Sequence, residues 1–341
     1  YELRNDGGSA VVANGNYWGS STTTELGQGK ANITRIYDIR DGGQQQALIA
    51  QWYAAPVLGG SPGALQNLTY PAAVGAQIVS GTIDTAQTWS GTVLVVGDVT
   101  VVGSLTIAQG TTVLFDSLHD AQAGGSDRSR CELIVNGGSL TIAGTGLAPV
   151  RLTSAGVSKA AGNWYGVRVM KGDVSLNNCV IEYAVDGLRL EDTDTRFAVY
   201  SLANVTVQRC SGNGVFTTSG QNAQMVVLNN FQLGTNATGL TANGPTTLNG
   251  GQVVGNTGYG IFVNNTGAAL VLTGTVVNNN QGDGVQAYGS LQMNGCTVAR
   301  NNGWGLQLYP QNSSLSVEIG NSLVQSNGSG GLLIGNYAQV G

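Results

Sequence analysis

An all-β fold is predicted by three observations, and its form is a right-handed parallel β-helix of about ten or more coils with an irregular N-terminal closing segment and a linker. A glycine-apolar-x-apolar unit recurs at intervals of 21 to 27 residues, an apolar column runs in step with it seven residues earlier, and asparagine stands four residues before the later glycines. Composition agrees. Charged residues are 10% of the chain, against roughly 25% in an ordinary soluble domain, and 53 of 341 residues are glycine. That mixture suits tight turns and stacked strands, not amphipathic helices.

The glycine unit appears as Gly166-Val167-Arg168-Val169, Gly187-Leu188-Arg189-Leu190, Gly260-Ile261-Phe262-Val263, Gly305-Leu306-Gln307-Leu308 and Gly331-Leu332-Leu333-Ile334, with looser copies at Gly214, Gly239 and Gly284. The interval is too short for a helix pair and too irregular for a strict hexapeptide helix, so each repeat is a coil of three short strands. Alternation within a strand sends Leu188, Val215, Leu240, Ile261, Val285, Leu306 and Leu332 into one interior row. It sends Arg189, Phe216, Thr241, Phe262, Gln286, Gln307 and Leu333 outward. Counting back seven residues gives a second column, Val180, Val207, Gln232, Val253, Val277, Val298 and Val324. Asn256, Asn280, Asn301 and Asn327 are expected at a corner, where asparagine tolerates left-handed backbone and its amides bond up a stack.

Coils stacked about 4.8 Å apart put Cys179 and Cys296, five coils apart, roughly 24 Å from each other, whereas a disulfide needs Cα atoms within about 7 Å. Cys179 and Cys210 lie on adjacent coils but at different points around them. Buried free thiols are the expectation, and Cys131 has no assigned place.

Two segments outside the repeat carry a family resemblance. Asn16-Tyr17-Trp18-Gly19, followed by Ile33, Ile36-Tyr37-Asp38, Asp41 and Pro56, resembles the element that closes secreted bacterial β-helix proteins of the pectate-lyase-like superfamily. Thr88-Trp89-Ser90-Gly91, Gly97-Asp98-Val99, Leu105-Thr106-Ile107 and Gly110-Thr111-Thr112-Val113 resemble the usual opening of such a helix. The expected organisation is a closing coil and cap over 1–56, completing a neighbouring unit, a linker over 57–80, and the β-helix proper over 81–341. Ser117 to Arg130 is expected to protrude as a loop.

Closing thus precedes opening, and Tyr1 is not an initiator Met, so the chain reads as a piece of a repeating assembly. Its expected partner is itself, head to tail, with Leu332, Ile334, Tyr337 and Val340 of one unit against Tyr1, Leu3, Val11, Tyr17 and Trp18 of the next. The expected role is a structural module, either assembling head to tail or repeated in tandem along one longer chain, of an extracellular fibre, sheath or surface adhesin. A polysaccharide-binding or polysaccharide-degrading β-helix is the alternative.

A formal charge of −5 argues against nucleic acid as a partner, and no apolar run is long enough for a helical membrane span. Polysaccharide hydrolysis needs paired carboxyl groups, and lyase chemistry a cation cluster with a base; the sequence pattern puts neither on neighbouring coils at one position. No catalytic residue and no cofactor are expected. The one histidine, His119, in Asp116-Ser117-Leu118-His119-Asp120 with Asp127-Arg128 nearby, reads as part of a solvated loop. Asp192 and Asp194 are candidate ligands for Ca²⁺, but Arg189 and Arg196 already supply counter-charge. Trp164-Tyr165, Tyr259, Tyr288 and Trp304 could stack on sugar rings, although aromatic columns in stacked coils more often pack on each other.

Overall fold

The computed structural model describes residues 1–8, 11–13, 16–27, 33–38, 41–42, 47–49, 51–53, 65–67, 76–118, 120, 124–156, 158–191, 200–218, 225–309 and 316–335. One 26-stranded sheet, wound on itself with parallel pairing throughout, makes a right-handed parallel β-helix. Its interior row runs unbroken through Val99, Leu133, Val167, Leu188, Val215, Leu240, Ile261, Val285, Leu306 and Leu332, each paired with the next. A second row passes from Ile107 through Ile142, Leu176, Leu202, Leu228, Leu248, Leu272 and Met293 to Ile319. A coil buries little by itself. Rows of β-branched and leucine side chains shared between coils supply the core.

A third interior row is Leu152, Ile181, Val207, Leu233, Val253, Val277, Val298 and Val324. Val180 and Gln232, expected in it, instead point outward one residue earlier. In those coils the corner is one residue shorter, with Ala184 and Asn236 three residues before the anchor glycine, so a fixed count back overshoots by one. In a strand, one residue reverses the face. Among the residues expected outside, Thr241 and Gln286 are buried, Gln286 donating to Gln307 Oε1 at 2.7 Å.

The corner asparagines are stacked as expected, but their backbones are not left-handed. The residue before each takes positive φ: Thr235, Gly255, Asn279, Arg300 and Ser326, before Asn236, Asn256, Asn280, Asn301 and Asn327. The asparagines act as ties between coils. Asn280 Oδ1 accepts from the Asn256 backbone N–H at 3.0 Å, while its Nδ2 donates to Val253 O at 3.2 Å and Asn301 Oδ1 at 2.8 Å. Apart from Gly166, at φ 141°, the anchor glycines do not take positive φ either. A Cβ on Gly260 would lie 2.6 Å from Gly284 O, 2.7 Å from Asn280 Nδ2 and 2.8 Å from Val277 Cγ1. Glycine recurs there because the next coil leaves no room for a side chain.

All four cysteines are buried and free, Cys131 included. Burial pushes the Cys179 and Cys210 thiols up to about 12, so both stay protonated in the core.

The N-terminal stretch is a small two-layer unit. Leu3–Arg4 pairs with Ile36–Tyr37, Val11–Val12 with Ala47–Leu48, and Asn16 with Trp52, all in parallel, and the helix Gly19–Gly27 connects the layers. Leu26, Ile33, Ile36, Ala47, Ile49 and Trp52 form its own core. The stretch read as a linker over 57–80 holds strand structure: Leu65–Asn67 pairs antiparallel with Gln51–Tyr53. Gln77–Ile83 is already the first strand of the β-helix, paired with Thr92–Val101, so the helix begins before residue 81.

Candidate functional site

The anchor column does not begin with glycine. Pairing of Glu132 with Gly166, and of Val99 with Leu133, extends it back to Glu132 and Asp98. Here the coils are long, 34 residues from Asp98 to Glu132, and the added chain makes room for carboxylates where later coils admit only hydrogen. Asp98 Oδ1 accepts from the Glu132 backbone N–H at 2.8 Å, and Asp120 Oδ1 from the Asp98 N–H at 3.2 Å. Glu132 Oε1 accepts from the Ser126 and Asp127 backbone N–H groups, and Arg168 reaches Glu132 Oε2 at 3.1 Å. Carboxylates on neighbouring coils at one position are therefore present, contrary to the pattern read from the regular repeat.

Arg168 pairs in register with Arg189 on the next coil, and Glu191 bridges them at 2.8 Å and 2.6 Å. Arg189 also pairs with Asp186. Burial alone would raise the Glu191 carboxyl, but hydrogen bonds from Arg189 and Arg168 prevail and hold it below the usual range. At Asp98 the balance runs the other way. Burial, then the charges of Asp120 and Glu132, push its carboxyl up to about 7, although the charge of Arg168 acts to lower it. Asp98 and Glu132 are 4% and 0% exposed, and Gly124 and Gly125 lie close against them. The network is closed and salt-linked. It clamps the segment 124–130, the last part of the loop expected to protrude, to the helix face through buried carboxylates.

The repeat conceals this site because it becomes irregular there. The visible signal was the alternation Val99-Thr100-Val101, Leu133-Ile134-Val135 and Val167-Arg168-Val169, preceded in turn by Asp98, Glu132 and Gly166. Of the other candidates, His119, Asp192 and Asp194 lie outside the described residues, as do Tyr337 and Val340. Among the described residues no group of three or more His, Cys, Asp and Glu is arranged to hold a metal ion. Trp164 is not exposed. It is fully buried, stacked on Phe115 at 3.8 Å, and donates from Nε1 to Glu182 O. Tyr259 stacks on Phe262 and Tyr288 on Tyr309, which covers ring faces a sugar would need.

At the two ends, the proposed assembly residues divide. Tyr1 and Val11 are exposed, Tyr1 tilted against Tyr37, while Leu3 and Trp18 pack on the N-terminal unit's own core. Tyr17 is half-buried. On the last described coil Leu332 is 45% and Ile334 57% exposed, although the residues beneath them in the same rows, Leu306 and Leu308, are buried. Ile319 ends its row exposed in the same way. Among the described residues, Val317–Gly320, Leu323–Gln325 and Gly330–Ile334 each pair with a preceding coil on one edge only.

A family model described as a right-handed beta helix region matches residues 165–340, more than half of the chain. No curated protein and no solved structure matches it.

Proposed function

Because the chain belongs to the right-handed beta helix family, whose members include both structural and polysaccharide-degrading proteins, we propose that it is a structural module of an extracellular fibre, sheath or surface adhesin, stacked head to tail on further copies. The observation that carries this reading is the bare apolar coil at Ile319, Leu332 and Ile334, where the interior rows continue to an exposed edge. Unpaired strand edges over an apolar core favour a further parallel layer. The N-terminal layer Leu3–Arg4 and Val11–Val12 is paired on one side among the described residues and presents Val11 and Tyr1. A head-to-tail contact of this kind does not close and grows into a filament.

The secreted, bacterial, pectate-lyase-like ancestry implied by the closing and opening elements fits an extracellular setting. Polysaccharide cleavage is the less favoured reading, since the paired carboxylates Asp98 and Glu132 are buried under segment 124–130. Sedimentation velocity and electron microscopy of the concentrated chain test the proposal. Head-to-tail oligomers or rods are expected, and Leu332→Lys with Ile334→Lys should return them to monomers. A monomer at every concentration would overturn it.

A further inference from the structure

We infer that Arg151, Lys159 and Arg209 form a binding site for an oxyanion, a sulfate, phosphate or carboxylate group carried free or on a sugar. The three cations gather on the outer face of neighbouring coils around one carboxylate, Glu182. Glu182 is buried and fully engaged: it accepts from Arg151 Nη1 at 2.6 Å, Thr153 Oγ1 at 3.1 Å, Gln208 Nε2 at 2.8 Å and Arg209 Nη1 at 3.4 Å. Lys159 Nζ donates to Thr153 Oγ1 at 3.2 Å. Three positive groups thus share one negative group.

The contrast with the network around Arg168 and Arg189 is the decisive point. Those two guanidinium groups are enclosed by Glu132, Glu191 and Asp186, and their charge is spent within the fold. Arg151 and Arg209 keep side chains 45% and 50% exposed and each meets Glu182 through a single nitrogen. A guanidinium carries five N–H donors in a planar fork suited to oxyanions. The remaining donors of Arg151 have no protein partner among the described residues, and Arg209 adds Tyr183 Oη at 3.3 Å and lies over the Tyr183 ring at 5.6 Å from its centre. Burial lowers the Lys159 ammonium, and the neighbouring charge of Arg151 acts in the same direction against the pull of Glu182.

Size limits the ligand. Three coils span about 10 Å along the axis, enough for one or two oxyanions and too short for a phosphodiester strand on a chain of net charge −5.

Calorimetric titration of the whole chain with sodium sulfate, and separately with a sulfated disaccharide and its desulfated form, tests the site. Saturable sulfate binding is expected, weakened roughly tenfold or more in Lys159→Gln plus Arg209→Gln and strengthened in Glu182→Gln. Lys159→Gln alone keeps every partner of Glu182 except Lys159's tie through Thr153, so it should weaken binding without lowering the melting midpoint. Tighter binding of the sulfated disaccharide than of sulfate assigns the ligand to a glycan; equal binding assigns it to the free anion. Absence of saturable binding to either probe, or affinities unchanged in both Lys159 variants, would overturn the inference.

Discussion

Asp98 and Gly260 occupy one column of the fold and meet opposite demands there. At Gly260 the next coil sits so close that hydrogen alone fits, whereas at Asp98 a long crossing segment opens room for a carboxylate and then seals it from water. Sealing it beside Asp120 and Glu132 raises its carboxyl from 3.8 to about 7. The folded protein therefore keeps a proton that the unfolded chain releases at lower pH. Between about pH 4 and pH 7 the folded state binds more protons, so this group makes stability fall as pH rises through that window and then level off. Asp98→Asn keeps an oxygen for the Glu132 N–H and removes the titration. Melting midpoints measured from about pH 5 to 8 should flatten in this variant and rise at the alkaline end. An unchanged profile would show that Asp98 does not carry the proton.

The asparagine stack is the element that joins one coil to the next. Asn236, Asn256, Asn280, Asn301 and Asn327 each donate to a carbonyl on the previous coil, and every one but Asn327 donates its backbone N–H to the Oδ1 of the asparagine on the next coil. Replacing Asn280 by Ala leaves the Asn256 N–H and the Val253 carbonyl buried with these bonds unmade. Unmade buried bonds cost about 1–3 kcal/mol each, so a loss of roughly 2–4 kcal/mol in urea unfolding is expected. Asn327→Ala, at the more exposed end of the stack, should cost visibly less. Equal losses at the two positions would mean that burial does not set the strength of the ties.

Over the whole molecule, stability is a sum of neighbour contacts, and a coil with one neighbour is held by half as many. Hydrogen exchange should therefore be slowest in Ile261–Val263 and Val285–Ala287, which are paired on both sides, and fastest in Val317–Gly320 and Gly330–Ile334. Slowing of the terminal strands at high concentration, with the middle coils unaffected, would mark the stacking proposed above. Uniform exchange along the axis would contradict a solenoid with an open end.

The repeat was legible in the sequence because glycine and alternating apolar residues answer to a purely local need, one coil fitting on the next. The interior row Leu188 to Leu332, the asparagine corner and the unpaired thiols all follow from that need. What only the tertiary structure decided was whatever depends on corner length and on distant segments folding back. One residue fewer before Gly187 and Gly239 turned Val180 and Gln232 outward. Long crossings at Asp98 and Glu132 placed carboxylates in the glycine column, and Glu182 drew Arg151 and Arg209 from coils 31 and 27 residues away in the chain. Spacing along a chain records which residues repeat; how far a loop travels before it returns decides which charges meet.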